Sequence, residues 1–81
     1  MQQIQTELKT EIQKSLARMR RLRDEVRVRV HFADVDAIEE WEALLPRLAH
    51  VERAAKDCTE TSFRAISDCV RRLSKLRSLL S

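Results

Sequence analysis

Eighty-one residues with a net charge of +3, one proline, two cysteines and no glycine allow a single domain and exclude several classes of protein. The lack of glycine argues against tight hairpins and phosphate-cradling loops. Two cysteines cannot build a disulfide framework, and no apolar run approaches the roughly 20 residues of a membrane span.

Arg, Leu, Ala and Glu, all strong helix formers, dominate the composition. The expected fold is all-α, either a helical hairpin or a three-helix bundle. Because so short a chain buries little of its surface, self-association into a larger helical bundle is expected as well. The polar opening MQQIQTELKTEIQK has no apolar core segment, so the expected location is cytoplasmic.

The first predicted helix starts near residue 3 and runs to about 30 on an apolar stripe of Ile4, Leu8, Ile12, Leu16, Met19, Leu22, Val26 and Val30. Its end is ambiguous. Val26, Val28, Val30 and Phe32 alternate with Arg27, Arg29 and His31, which is also the pattern of a half-buried strand. A continuing helix is preferred; a lone strand cannot satisfy its own backbone, so an extended segment would need a copy of itself or a partner.

A turn is expected over about 31–35. Asp34 or Asp36 can cap the next helix, and Glu39 lies three residues after Asp36 as a capping box requires. Asp36, Glu39, Glu40 and Glu42 then crowd the first turns, where the helix dipole favours negative charge.

The second helical region spans about 36–80. With Trp41 at heptad position a, that column continues through Leu48, Ala55, Ser62, Cys69 and Leu76. Position d holds Leu44, Val51, Cys58, Ala65, Arg72 and Leu79, and position e holds Leu45, Glu52, Thr59, Ile66, Leu73 and Leu80. A stripe this wide is that of a helix in a bundle. The expected packing and oligomer interface is therefore Trp41, Leu45, Leu48, Ala55, Cys58, Ser62, Ile66, Cys69, Leu73, Leu76 and Leu80.

Pro46 predicts a kink or a fresh helix start. A break near Asp57, with Asp57 and Glu60 as a second capping box, competes with continuity. With neither glycine nor proline nearby, continuity is preferred. An unbroken helix would leave the apolar face of 63–80 without a partner inside the chain, and self-association would follow. The small residues Ala54, Ala55, Cys58, Thr59, Ser62 and Ala65 read as a thin part of the core, or alternatively as a helix-crossing point in a dimer.

Cys58 and Cys69 lie about three turns apart on one helix and read as small core residues. His31 and His50 have no ligand spacing, and no metal or cofactor site is expected. No spacing supports a catalytic triad, a Cys–His pair or paired carboxylates, so the chain is expected not to be an enzyme.

Arg18, Arg20, Arg21, Arg23, Arg27 and Arg29 form a basic cluster. Arg20, Arg23 and Arg27 share a helical face that could follow a phosphate backbone. Against nucleic acid, Asp24 and Glu25 interrupt the run, no aromatics interleave it, and no helix-turn-helix pattern is present. The acidic run from Asp34 to Glu42 is expected to neutralise Arg23, Arg27 and Arg29 across the turn. Arg64, Arg71, Lys75 and Arg77 give the C-terminal helix a basic polar side, but lying on a membrane is the lesser reading beside a solvated bundle face.

The segment Val28–Pro46 resembles a stretch in small bacterial helical proteins of no assigned activity. There an alternating segment ending in His and an apolar residue precedes Asp, Trp and Leu-Pro. The matching positions are His31, Phe32, Asp36, Trp41, Leu45 and Pro46, within a segment that covers about a quarter of the chain. The resemblance implies a bend near Asp34 and an anchoring Trp41, and no activity. The expectation for function is a non-enzymatic, homo-oligomeric interaction module with an unidentified protein partner. It would act as an adaptor, scaffold or regulatory subunit.

Overall fold

The computed structural model describes residues 2–80, with side-chain surroundings from residue 7 onward. Three helices follow one another: α1 Gln2–Val30, α2 Val35–Ala54 and α3 Glu60–Leu80, with a 3₁₀ turn at Ala55–Asp57. They form a three-helix bundle with extents of 48 × 19 × 14 Å. No strand occurs among the described residues.

Residues 26–30 are helical, which resolves the alternating segment. Val26 and Val30, one turn apart, both reach the core, while Val28 is left 67% exposed. Burying two valines and keeping every backbone hydrogen bond outweighs leaving one valine in water. Arg27 and Arg29 occupy the last turn, where cations suit the dipole. Ile4 belongs to the side chains outside those described.

The chain turns through residues 31–34. Phe32 and Ala33 donate their N–H groups to the carbonyls of Arg29 and Val30 at 3.2 and 3.1 Å, which tightens the helix end. Asp34, in extended conformation, caps α2 by accepting the Ala37 N–H at 3.0 Å. The cap is therefore Asp34 and not Asp36. Its third following residue is Ala37, so the reciprocal half of a capping box is missing.

α2 continues through Pro46 without starting a new helix there. Pro46 and Glu42, whose carbonyl loses its partner, are both on the exposed side, where water can take that carbonyl.

Continuity between α2 and α3 is overturned. Cys58 adopts a left-handed conformation, φ 52° and ψ 49°, without being glycine. Thr59, not Asp57, then caps α3, its Oγ1 accepting the Ser62 N–H at 3.1 Å. The Ser62 hydroxyl donates to the Ala54 carbonyl at 2.7 Å. With that proton committed, Thr59 Oγ1 is the donor in the 2.9 Å contact between the two hydroxyls. Ser62 thus ties the last turn of α2 to the first turn of α3. The band of small residues marks this corner.

Folding back changes which residues meet the core. α2 buries Trp41, Leu44, Leu48 and Val51, followed by Ala55, while α3 buries Ser62, Ile66, Cys69, Leu73 and Leu76. The a column stays inside throughout. Its companion changes from d in α2 to e in α3, because the corner shifts the heptad phase. Arg72 and Leu79, on d, are therefore exposed.

α1 and α3 run parallel and lie closest together, α2 packs antiparallel against α3, and α1 and α2 approach less closely. Ile12, Met19, Leu22, Val26 and Val30 supply the α1 side of one continuous core. Leu48, Ile66 and Leu73 are 3%, 0% and 0% exposed, so the ribbon of apolar side chains after Trp41 is covered within one chain. With α1 at 29 residues and α2 at 20, α1 is about 13 Å longer, and its N-terminal end runs past the second corner.

Two predictions follow from the corner at 55–62. Ser62→Ala removes the hydroxyl that joins the Ala54 carbonyl to α3 and lowers stability by about 1 kcal/mol in urea unfolding. At Cys58, Gly removes the left-handed penalty and raises stability by about 0.5–1 kcal/mol, while β-branched Val lowers it by about 1–2 kcal/mol. The opposite order in thermal melts would reject the left-handed assignment.

Candidate functional site

The residues expected to form an interface are mostly consumed by the fold. Trp41, Leu48, Ala55, Ser62, Ile66, Cys69, Leu73 and Leu76 are buried inside the single chain, and Leu45, Cys58 and Leu80 are half-buried.

The basic cluster is divided. Glu52 of α2 takes both Arg20 and Arg23 of α1, its Oε1 lying 2.9 Å from Arg20 Nε and 3.4 Å from Arg23 Nη1. Arg23 also reaches Asp24 at 3.4 Å. Glu25 receives Arg21 at 4.0 Å and Arg77 of α3 at 2.7 Å. The Arg77–Glu25 contact is an ion pair by distance but is not aligned as a directed hydrogen bond. Among the described residues Arg27 has no ion-pair partner. The carboxylates from Asp34 to Glu42 make no ion pair with Arg23, Arg27 or Arg29, which corrects the expected match across the turn. The partner is Glu52, which enters the sequence pattern only as a polar residue in the e column. On the other side of the bundle, Asp68 joins Arg47 of α2 at 3.7 Å and Arg72 of α3 at 3.3 Å.

What remains uncovered lies at one end. Val28, Phe32, Val35 and Leu79 are the exposed large hydrophobic side chains among the described residues, at 67%, 91%, 68% and 73% exposure. All four sit around the first corner or the adjoining end of α3. Of the four, Phe32 and Leu79 line a groove of about 400 Å³ together with Ala33, Ala37, Leu76 and Leu80. Asp34, Asp36 and Glu40 stand on its α2 side and Arg29 on its α1 side. A neighbouring hollow along α3 adds Arg72 and Lys75 opposite Glu40. The groove is thus apolar at its floor and acidic along one wall, with Arg29 opposite and further basic groups in the adjoining hollow.

Reading the sequence missed Phe32 and Leu79 as surface groups. Phe32 was absorbed into an alternating strand pattern and Leu79 into the d column. A signal for Phe32 was present: an aromatic residue immediately before Ala33-Asp34, after the last position that reaches the helical stripe.

The other sites weighed in the sequence are quiet. Both cysteines are free thiols, Cys58 half-buried at the corner and Cys69 buried. Burial pushes the Cys69 thiol up from its ordinary value and adjacent Asp68 pushes it further, with Arg47 and Arg72 partly opposing. No group of three metal-ligating side chains occurs among the described residues. None of the helices is long and apolar enough to cross a membrane among those residues. No family model, curated protein or solved structure matches the chain.

The cysteines give a direct check on the packing. Under native conditions iodoacetamide labels Cys58 at least about tenfold faster than Cys69, read by peptide mass spectrometry. Equal rates would mean that α3 does not hold Cys69 in the core. The raised Cys69 value also has a sign. The unfolded thiol loses its proton first, so this group's contribution to stability falls as pH climbs through and above the ordinary thiol range.

Proposed function

We propose that this chain is a non-enzymatic helical interaction module that pairs with a second copy of itself through the end bearing Phe32 and Leu79. The observation that carries the reading is the clustering of the exposed large apolar side chains at that end, around a groove. Apolar patches of this kind on a small soluble domain mark contact sites. Phe32 is suited to be the anchor, because a nearly free aromatic ring loses the most water-exposed area when a partner covers it.

A second copy is supported as the occupant by charge. Two-fold pairing presents the same patch from both sides, so each patch must complement itself. Asp34, Asp36 and Glu40 along the groove, with Arg29 in it and Arg72 and Lys75 in the adjoining hollow, put both signs of charge at this end, which meets that requirement when the copy is turned about the axis. The role that fits is an adaptor, small scaffold or regulatory subunit presenting helix surfaces from a dimer.

Nucleic-acid binding through Arg20, Arg23 and Arg27 is the weaker reading, since Glu52 neutralises the first two. Membrane association through the C-terminal helix is weaker still. Ile66, Cys69, Leu73 and Leu76 face the core and leave Leu79 as the large apolar group that α3 exposes.

Sedimentation velocity over a concentration series tests the pairing. The wild type is expected to sediment as a dimer at micromolar concentrations, and F32D/L79D as a monomer with unchanged helical circular dichroism. A wild type that stays monomeric at high micromolar concentration overturns the pairing, as does a double variant that still dimerises.

A further inference from the structure

We infer that the groove between α1 and α3 around Arg18 and Arg71 binds a phosphate-class oxyanion carried by a small ligand. This groove, of about 350 Å³, is lined by Ser15 and Arg18 from α1 and by Ser67, Val70, Arg71 and Ser74 from α3. It is distinct from the apolar end and shares no residue with it.

The first observation is chemical uniformity. Five of the six lining side chains can donate a hydrogen bond, and none is a carboxylate. Among the described residues several arginines elsewhere in the bundle are paired with acids, although others, Arg27 among them, are not. Arg20 and Arg23 find Glu52, Arg77 finds Glu25, and Arg47 and Arg72 find Asp68. Among the described residues Arg18 and Arg71 have no such partner. They are two like charges on adjacent helices with no acid between them, an arrangement that an anion relieves.

The second observation is the serines. Ser15, Ser67 and Ser74 are half-buried, yet among the described residues their hydroxyls make no hydrogen bond within the protein. Helical serines commonly bond back to the carbonyl one turn earlier, as Ser78 does to Ser74 at 3.1 Å. Three hydroxyls without such bonds, lining one groove beside two guanidinium groups, leave several donors for the oxygens of one phosphate.

The helical spacing accounts for the assembly. Ser67, Arg71 and Ser74 follow at steps of four and three on α3, and Ser15 and Arg18 at a step of three on α1. The parallel, close packing of α1 against α3 sets the two rows side by side. Guanidinium forks match tetrahedral oxyanions in two-point contacts, and hydroxyls complete the shell. A phosphomonoester is the favoured class because its charge balances both arginines.

The test uses inorganic phosphate as probe, with chloride balancing ionic strength, in thermal denaturation and titration calorimetry. Once phosphate exceeds its dissociation constant tenfold, the wild-type melting temperature is expected to rise by about 8 °C. R18Q/R71Q is expected to lose that rise. S67A/S74A, which keeps both charges, is expected to bind phosphate several-fold more weakly while retaining its melting temperature without ligand. No rise in the wild type, or an equal rise in R18Q/R71Q, overturns the site. Phosphatidic-acid vesicles and duplex DNA form two further arms. Binding of either by a protein that ignores inorganic phosphate overturns the small-ligand assignment. Sedimentation of R18Q/R71Q keeps this test separate from the dimer, since those substitutions leave the apolar end intact.

Discussion

The rest of this structure depends on the hydrogen-bonded corner where Ser62 holds the Ala54 carbonyl and Thr59 caps the helix that follows. Without it, residues 35–80 would make one rod, and half of its apolar face would lack a partner within the chain. With it, that face turns back against α1. The local cost is a left-handed Cys58, about 1–2 kcal/mol, and the loss of the helical bonds across the turn. The gain is the burial of Ile66, Cys69, Leu73 and Leu76, and each large aliphatic side chain there contributes about 1.5–3 kcal/mol. The second effect is the larger, which is why a corner forms with no glycine to ease it.

The corner also determines what is left for function. Because α3 covers its stripe inside the monomer, the long apolar ribbon does not itself require a second molecule. The phase shift turns Leu79 outward, and the first corner leaves Phe32 with nothing to cover it. The reading of a self-pairing module therefore rests on one end of the bundle, where these side chains gather between acidic and basic walls. Charge is distributed in a related way. Glu25 and Asp68 each gather arginines from two helices, and Glu52 of α2 takes two from α1, so that all three stitch the bundle along its flanks. Arg18 and Arg71 flank a groove of unbonded serines with no acid in its lining, which gives the molecule a second surface of different chemistry.

Much of this was legible in the residues alone. Steps of three and four gave the helices and the a column of the core, from Trp41 to Leu76. A short acidic residue after an apolar run placed the first corner at Asp34. The second corner was harder to read, because its signal, Thr59 followed three residues later by Ser62, competes with a strong helical pattern. Cysteine is also not a residue that announces a left-handed turn. A single heptad frame carried through the corner then put Arg72 and Leu79 inside, although both are outside.

The amino-acid order by itself determined helicity, the apolar face of α1 and the place of the first turn, since these depend on neighbours within one or two turns. The tertiary structure decided the break at Cys58, the switch of core column in α3, the choice of Glu52 over the nearer acids as partner of Arg20 and Arg23, and the grouping of Ser15 and Arg18 with Ser67, Arg71 and Ser74. Each of these depends on the free energy of packing one helix against another. That quantity belongs to pairs of segments distant in sequence and has no local signature in either.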